Sequence, residues 1–495
     1  MAASTRSPIP GEPLVCGVDS STQSTKVEIR RIDDGAVVAT GRAPHPPTSP
    51  PRSEQDPEAW WQALRSALAD AAAQLPGGLG DVAAISVAGQ QHGMVLLGDD
   101  NRVLRPAKLW NDTESAPQAA ELVERLGAVA WAQRVGSVPV AAFTITKLAW
   151  VAAHEPDVLA ATRRVMLPHD WLTFRLTGAH VTDRGDASGS GWWSPGQGAP
   201  DLELLDLVDP TRSWVDMVPT VLDHDATAGT VTPEAARDLG LSPTCRVAPG
   251  TGDNMAAALG LGLAPGDVVM SLGTSGTAYA VSEGPTADPT GAVAGFADAS
   301  GRFLPLVCTL NATKVTDAVA SLMGVDAADL ATLALEAPPG ANSLVLVPYL
   351  DGERTPNLPD ASGMVRGLRT SSSRADLARS AHEGVVCGLL AGVDALATAG
   401  VALDGNAFLV GGGGRSGAYR RIVADLWARP VRVPHDDEVV ATGACVQAAT
   451  IIAGVDAATM SERWGLGRGV DLEPVADVDA AGIRSRYDAA SRLSA

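Results

Sequence analysis

Two acidic residues beside bare turns carry the chemistry of this chain. Asp19 closes an apolar run and precedes a turn of small hydroxyl residues in 15–31 (VCGVDSSTQSTKVEIRR). Asp253 follows two glycines in 250–254 (GTGDN), ahead of an alanine-rich stretch. A turn without bulky side chains over its amides lets N–H and O–H donors converge on an anion. A carboxylate facing that anion is repulsive unless a cation lies between them, and Mg²⁺ takes one or two carboxylates plus phosphate oxygens. Residues 268–282 (VVMSLGTSGTAYAVS) repeat the strand–turn–strand pattern, with Ser271 where the first copy has Asp19. The pair reads as two halves of a clamp on a nucleotide triphosphate, with the metal on one side only. Either turn alone is an ordinary hairpin turn; two copies about half the chain apart point to duplication. Taken by itself, Asp253 reads as a helix N-cap.

Three further loops collect polar residues. QQHG (90–93) ends an apolar strand, where open α/β sheets place ligands. His92 can hydrogen-bond a polyol there, although a lone loop histidine is ordinarily just solvated. KLWND (108–112) offers Trp110 to the apolar face of a sugar and polar ends to its hydroxyl edge; core packing is the competing assignment for Trp110. GGGGRS (411–416) stands between a strand and a helix, so a phosphate or an adenine-ribose can lie flat on its glycines. Ser416 occupies the place of the third glycine in a dinucleotide fingerprint, and no G-x-x-x-x-G-K-[ST] or H-E-x-x-H occurs.

The elements that must position these loops follow from periodicity. Strands are expected at about 14–18, 25–32 and 36–41, then a helix capped by Asp56 with Pro57 in its first turn and Trp60, Trp61, Leu64 and Leu68 on one face. A buried strand at 81–87 follows. This order opens an actin-like, ribonuclease-H-like nucleotide domain. The second half repeats the theme: a strand at 303–308, a helix from about 311, a long helix over 374–399, a strand at 407–410, and helices through Tyr419–Leu426 and 441–453. The expected fold class is α/β, with two actin-like ATPase domains (13–262 and 263–490) flanking a deep cleft, after a disordered polar tail at 1–12.

With 495 residues the chain exceeds a single core. Its 57 acidic against 37 basic residues, a net charge of −20, disfavour nucleic acid and anionic membranes as partners. The five cysteines (Cys16, Cys245, Cys308, Cys387, Cys445) form no CxxC and read as small buried hydrophobes in a reducing compartment. No apolar stretch reads as long enough for a membrane span, and the first residues lack the apolar core of a signal peptide. A cytoplasmic protein is expected.

These loops in this order resemble the FGGY family of carbohydrate kinases, and within it most closely the members that phosphorylate D-xylulose. The likeness runs from about Val15 to Tyr487 and includes SEQDPEAWW (53–61), VLRPAKLWND (103–112), TDRGDASGSGWW (182–193), DGERTP (351–356), and the GTGDN, SLGTSG and GGGGRS loops. The resemblance implies ATP and Mg²⁺ as cofactors and a small sugar as acceptor, and leaves room for a homodimer. It implies Asp253 as the catalytic base and Asp19 as the Mg²⁺ acid. It places Thr22, Gln23 and Ser24 at the terminal phosphate, Thr274 and Ser275 in the second phosphate loop, and Gly412 and Gly413 at adenosine. Gln91, His92, Trp110, Asp253 and Asn254 would surround the sugar. Glu353 and Arg354 lie in a family signature without an assigned contact. Ser21 departs from the usual glycine, and serine tolerates positive φ poorly, so an altered turn backbone is expected. Gln91 replaces a common Met and adds a hydrogen-bonding group. Competing readings are a kinase of another ketose, polyol or gluconate, a non-catalytic actin-like nucleotide switch, and a ligand-binding regulator.

Overall fold

The computed structural model describes residues 11–493. β1 (Leu14–Ser20) and β2 (Ser24–Arg31) form the first hairpin, and β3 (Val37–Pro44) extends it antiparallel. α1 (Pro57–Ala72) starts where the Asp56 carboxylate accepts the Glu58 N–H at 3.0 Å, and it buries Trp60, Trp61, Leu64 and Leu68. This apolar stripe at helical spacing covers one face of the sheet. β4 (Val82–Gly89) then runs parallel to β1. Three short strands complete this half: β5 (Gly229–Thr230), β6 (Arg246–Val247) and β7 (Thr251–Gly252), the last two parallel to β4. α2 (Asp253–Gly260) follows directly.

The second half contains β8 (Val268–Leu272), β9 (Gly276–Ala280), β10 (Ala294–Ala297), β11 (Phe303–Thr309), α3 (Thr313–Met323), α4 (Arg374–Thr398), β12 (Ala407–Val410), α5 (Gly417–Trp427), β13 (Val431–Pro434), α6 (Val439–Ala453) and β14 (Gly469–Leu472). Its strand order β14-β13-β12-β8-β9-β11 repeats β5-β6-β4-β1-β2-β3 position for position. The strand senses agree at every step, parallel in the centre and antiparallel at both ends. The duplication expected from two similar turns therefore extends to the whole sheet.

Each sheet has its own core, and a third core joins the halves. In it Met94, Phe143 and Ile145 pack with Val269, Tyr279, Phe296 and Leu306. α6 belongs to the second half in sequence, yet Cys445, Val446, Ala448 and Ala449 pack against Val15, Ala84 and Ala248 of the first. It crosses α2 at backbone contact: a Cβ on Gly443 would lie 1.8 Å from the Ala256 carbonyl oxygen, and one on Gly260 1.9 Å from that of Val439. Only glycine fits at such a crossing.

Three expectations change. By length and composition α4 is long and apolar enough to cross a membrane, as are α3 with Ala327–Glu336 and α6 with Ala457–Trp464 as bent pairs. The expectation of no such stretch is thus corrected. α4 is apolar on several sides because it lies between β9 and β11 and helices α3 and α5, with 67% of its apolar window buried. Four cysteines are buried as expected, whereas Cys308 is partly exposed. Of the tail expected over 1–12, positions 1–10 lie outside the described residues; Gly11 and Glu12 are described, and Gly11 N–H donates to Asp81 at 3.2 Å.

Candidate active site

Strand register brings the two acids together. Asp19 on β1 and Thr251 on β7 both pair with Ala88 of β4, from opposite sides. Two strand spacings of about 4.8 Å therefore separate their backbones, and Asp253 lies two residues further on. The N-cap assignment for Asp253 is corrected: Gly252 is the cap residue, without a side-chain cap bond, and Asp253 is the first residue of α2. Its carboxylate accepts from Asn254 N–H at 2.8 Å and from Asn254 Nδ2 at 3.0 Å. Burial, then the charges of Asp19 and Asp186, push its pKa up to about 7. Asp253 also raises the pKa of Tyr279 on β9 and of Cys308 on β11, so its charge reaches the second half.

Asp19 is 3% exposed. Burial raises its pKa, opposed by the Ser21 hydroxyl, which donates to Oδ1, and by Lys26, whose Nζ stands 3.8 Å from Oδ2. Lys26 itself pairs more closely with Glu438, at 2.5 Å. A buried carboxylate left incompletely neutralised fits a hard divalent cation with an oxygen shell. Ser21 is absent from the described residues with positive φ, so it does not adopt the left-handed backbone that a glycine would allow. Its hydroxyl acts on Asp19. Thr22 and Gln23 line the exposed side of the turn, while Ser24 is buried where β2 begins.

The sugar loop is tied to both neighbours. Trp110 Nε1 donates to Thr22 Oγ1 at 2.9 Å, and Thr22 Oγ1 donates to Gln90 Oε1 at 3.2 Å. Asn254 Nδ2 donates to Gln91 Oε1 at 2.7 Å, joining this loop to the start of α2. Buried Gln90 Nε2 and Gln91 Nε2 lack a hydrogen-bond partner, a state that a polyol's hydroxyls would relieve. His92 lies between the rings of Phe143 (5.4 Å) and Phe296 (5.1 Å), one from each half. Burial, then Lys147 and Arg354, hold its pKa well below the usual value, so the imidazole is neutral. Trp110 is half-buried beside the first turn and belongs to none of the large cores. Of the polar ends of KLWND, Lys108 and Asp112 are taken up by protein partners, whereas buried Asn111 Oδ1 lacks one. Lys108 and Asp112 are fully buried, and the carboxylates of Glu54, Asp112 and Glu114 surround the Lys108 ammonium at 3.3, 3.2 and 2.6 Å.

In the second half Thr274 is exposed and Ser275 half-exposed at the tip of the β8–β9 turn. The backbone N–H groups of Ala312 and Thr313 donate to the carbonyls of Thr274 and Gly273, docking α3 on that turn. The glycine loop lies against the same strand: a Cβ on Gly413 would be 2.7 Å from that of Leu272, while one on Gly412 would meet nothing within 4 Å. Gly412 thus presents bare backbone. Glu353 holds the α3 junction, accepting from Leu310 N at 2.6 Å and Asn311 Nδ2 at 2.9 Å. Through its charge Arg354 acts on His92, Lys147 and Cys308 from the second half.

Sequence reasoning passed over Gln90, Asp186, Phe143, Phe296 and Lys147. Asp186 was visible as an acid within a run of small residues. Phe296 carries no local signal, because it reaches His92 only through the docking of the two sheets.

Models of the N-terminal and C-terminal domains of the FGGY family of carbohydrate kinases match residues 14–260 and 268–451. The xylulose kinases of Streptomyces coelicolor and Streptomyces rubiginosus are each 49% identical to the chain over 466 residues, covering 94% of it and 93% of theirs. A crystal structure of xylulose kinase from Bifidobacterium adolescentis superposes with a TM-score of 0.85 at 38% identity, covering 97% of this chain and 99% of that one. On the strength of both domain matches and these relatives, the chain belongs to the FGGY family of carbohydrate kinases.

Proposed function

We propose that the protein transfers the γ-phosphoryl group of ATP to the C5 hydroxyl of D-xylulose, giving D-xylulose 5-phosphate in the cytoplasm. The carrying observation is Asp253: a carboxylate pushed up to about 7, at the start of a helix, bonded through Asn254 to the polyol loop and flanked by Asp19. A base with a pKa near the working pH suits removal of a proton from an alcohol. The names of the relatives support xylulose as the acceptor.

Gln91, His92, Trp110 and Asn254 hold the sugar with its reacting hydroxyl toward Asp253. Thr22, Gln23 and Ser24 meet the terminal phosphate, Thr274 and Ser275 the remaining phosphates, and Gly412 and Gly413 the adenosine. Asp19 would hold Mg²⁺, which would supply charge neutralisation on the phosphates. Phosphoryl transfer asks mainly for positioning and charge balance, and these residues provide both. The domains 13–262 and 263–490 close on the substrates and exclude water, which would otherwise compete as acceptor.

The test is ATP consumption with D-xylulose, D-ribulose, L-ribulose and glycerol in parallel. The highest kcat/KM is expected for D-xylulose. A preference for another acceptor moves the protein within the family; ATP turnover indifferent to sugar, with concentration-dependent polymerisation, overturns the kinase reading in favour of a nucleotide switch.

A further inference from the structure

Behind the polyol loop lies a buried charge cluster to which the proposed reaction assigns no contact with substrate. His169, Asp170 and Asp186 are fully buried and Asp183 is 3% exposed. His169 Nε2 stands 3.3 Å from Asp170, 3.2 Å from Asp183 and 3.6 Å from Asp186. Burial opposes its charge, but the carboxylates outweigh burial and push His169 up to about 9, so one cation serves the group. The cluster reaches the site by two arms. Asp183 accepts from Thr251 Oγ1 at 2.7 Å, two residues before Asp253. Asp186 Oδ1 accepts the backbone N–H of His92 at 3.1 Å and stands 3.2 Å from His92 Nδ1.

His92 needs this support. Its φ of 62° is in the left-handed region, which a residue with a bulky side chain enters at a cost. Its imidazole fills space that exists only because residue 189 is glycine, where a Cβ would lie 1.8 Å from His92 Cε1. Its carbonyl accepts from Thr144 Oγ1 at 3.2 Å. We propose that Asp186 is a positioning residue: by accepting the backbone N–H it pins the left-handed backbone of His92 and so holds the imidazole where a sugar hydroxyl can reach it. The inference rests on the reading of His92 as a sugar ligand.

The test is a double-mutant cycle in steady-state kinetics. His92→Asn removes the imidazole while keeping a residue that tolerates positive φ. Asp186→Asn and the double variant complete the cycle. Each single change is expected to raise KM for D-xylulose about 10-fold or more, the size of one directed hydrogen bond, with KM for ATP within ~2-fold. If Asp186 acts through His92, the double variant stays within about 3-fold of His92→Asn. Effects that multiply, or an unchanged sugar KM in Asp186→Asn beside a raised one in His92→Asn, overturn the proposal. An unchanged sugar KM in His92→Asn removes the sugar-ligand reading itself. Should Asp186→Asn fail to fold, Asp186→Ser takes its place in the cycle and is read by the same two criteria.

Discussion

The β1–β2 and β8–β9 hairpins occupy the same place in two sheets of the same order, yet hold opposite chemistry. In the first, Asp19 pairs with Ala88, and the strand beyond leads into Gln90, Gln91 and His92. In the second, Ser271 pairs with Val410, and the strand beyond leads into Gly411–Gly414. One scaffold slot, a strand end beside a hydroxyl turn, carries acids and polyol donors in one half and bare backbone in the other. The difference teaches that charge is partitioned between the halves. Both Asp19 and Asp253 stand on the first side, where the charge of Asp19 raises the energy of ionised Asp253, and the second hairpin carries no acid at the matching place. On the proposed reading, one half manages protons and metal and the other the nucleotide.

The sharpest break of this asymmetry is Asp253→Ala. A fall in kcat of about 10²–10⁴-fold is expected, with ATP binding retained by isothermal titration, because a general base contributes on that scale. Near-normal turnover would empty the first half of its acid–base role. Next in size, Asp19→Asn is expected to lower Mg²⁺-dependent turnover by about 10–10²-fold, since a Mg²⁺ carboxylate ligand is lost. The same variant sharpens the comparison through pH. Asp253 must be ionised to accept a proton, so kcat/KM should fall as pH drops through about 7; without the charge at position 19 that limb should move to lower pH. A limb that stays in place would mean that the two acids do not couple.

Ser271→Asp copies the first turn's acid into the second. Like-charge contact with phosphate should raise KM for ATP by about 10-fold while leaving KM for the sugar within ~2-fold. The smallest effect belongs to the glycine loop. Gly412→Ala should change KM for ATP a few-fold with no change in melting temperature, because the added methyl meets no protein atom. Gly413→Ala should lower the melting temperature, because its Cβ would press on Leu272.

Much of this was legible in order and type of elements. The strand at 407–410 was expected at its observed limits, and the hairpins, α1 and α4 lie within a few residues of their expected spans, because periodicity and caps are local signals. The convergence of Asp19 and Asp253 could only be inferred, since it depends on β1 and β7 flanking one strand. Lys108 and Asp112 were expected at a sugar's hydroxyl edge; their burial in one charge set with Glu54 and Glu114 was not legible, because Glu54 comes from a separate segment. The departure at Ser21 was visible, but not the bond its hydroxyl makes to Asp19, which depends on the shape of the turn. Asp186 was overlooked because its partners His92 and His169 come from separate segments.

The seating of α6 on the first sheet has a consequence for synthesis. The surface formed by Val15, Ala84 and Ala248 waits for Cys445, Val446 and Ala449, so the opening half of the chain leaves the ribosome with an apolar flank uncovered. A gene cut between the halves should yield two fragments that aggregate apart and recover only when co-expressed. Translation must pass α6 before the earliest strands find this neighbour.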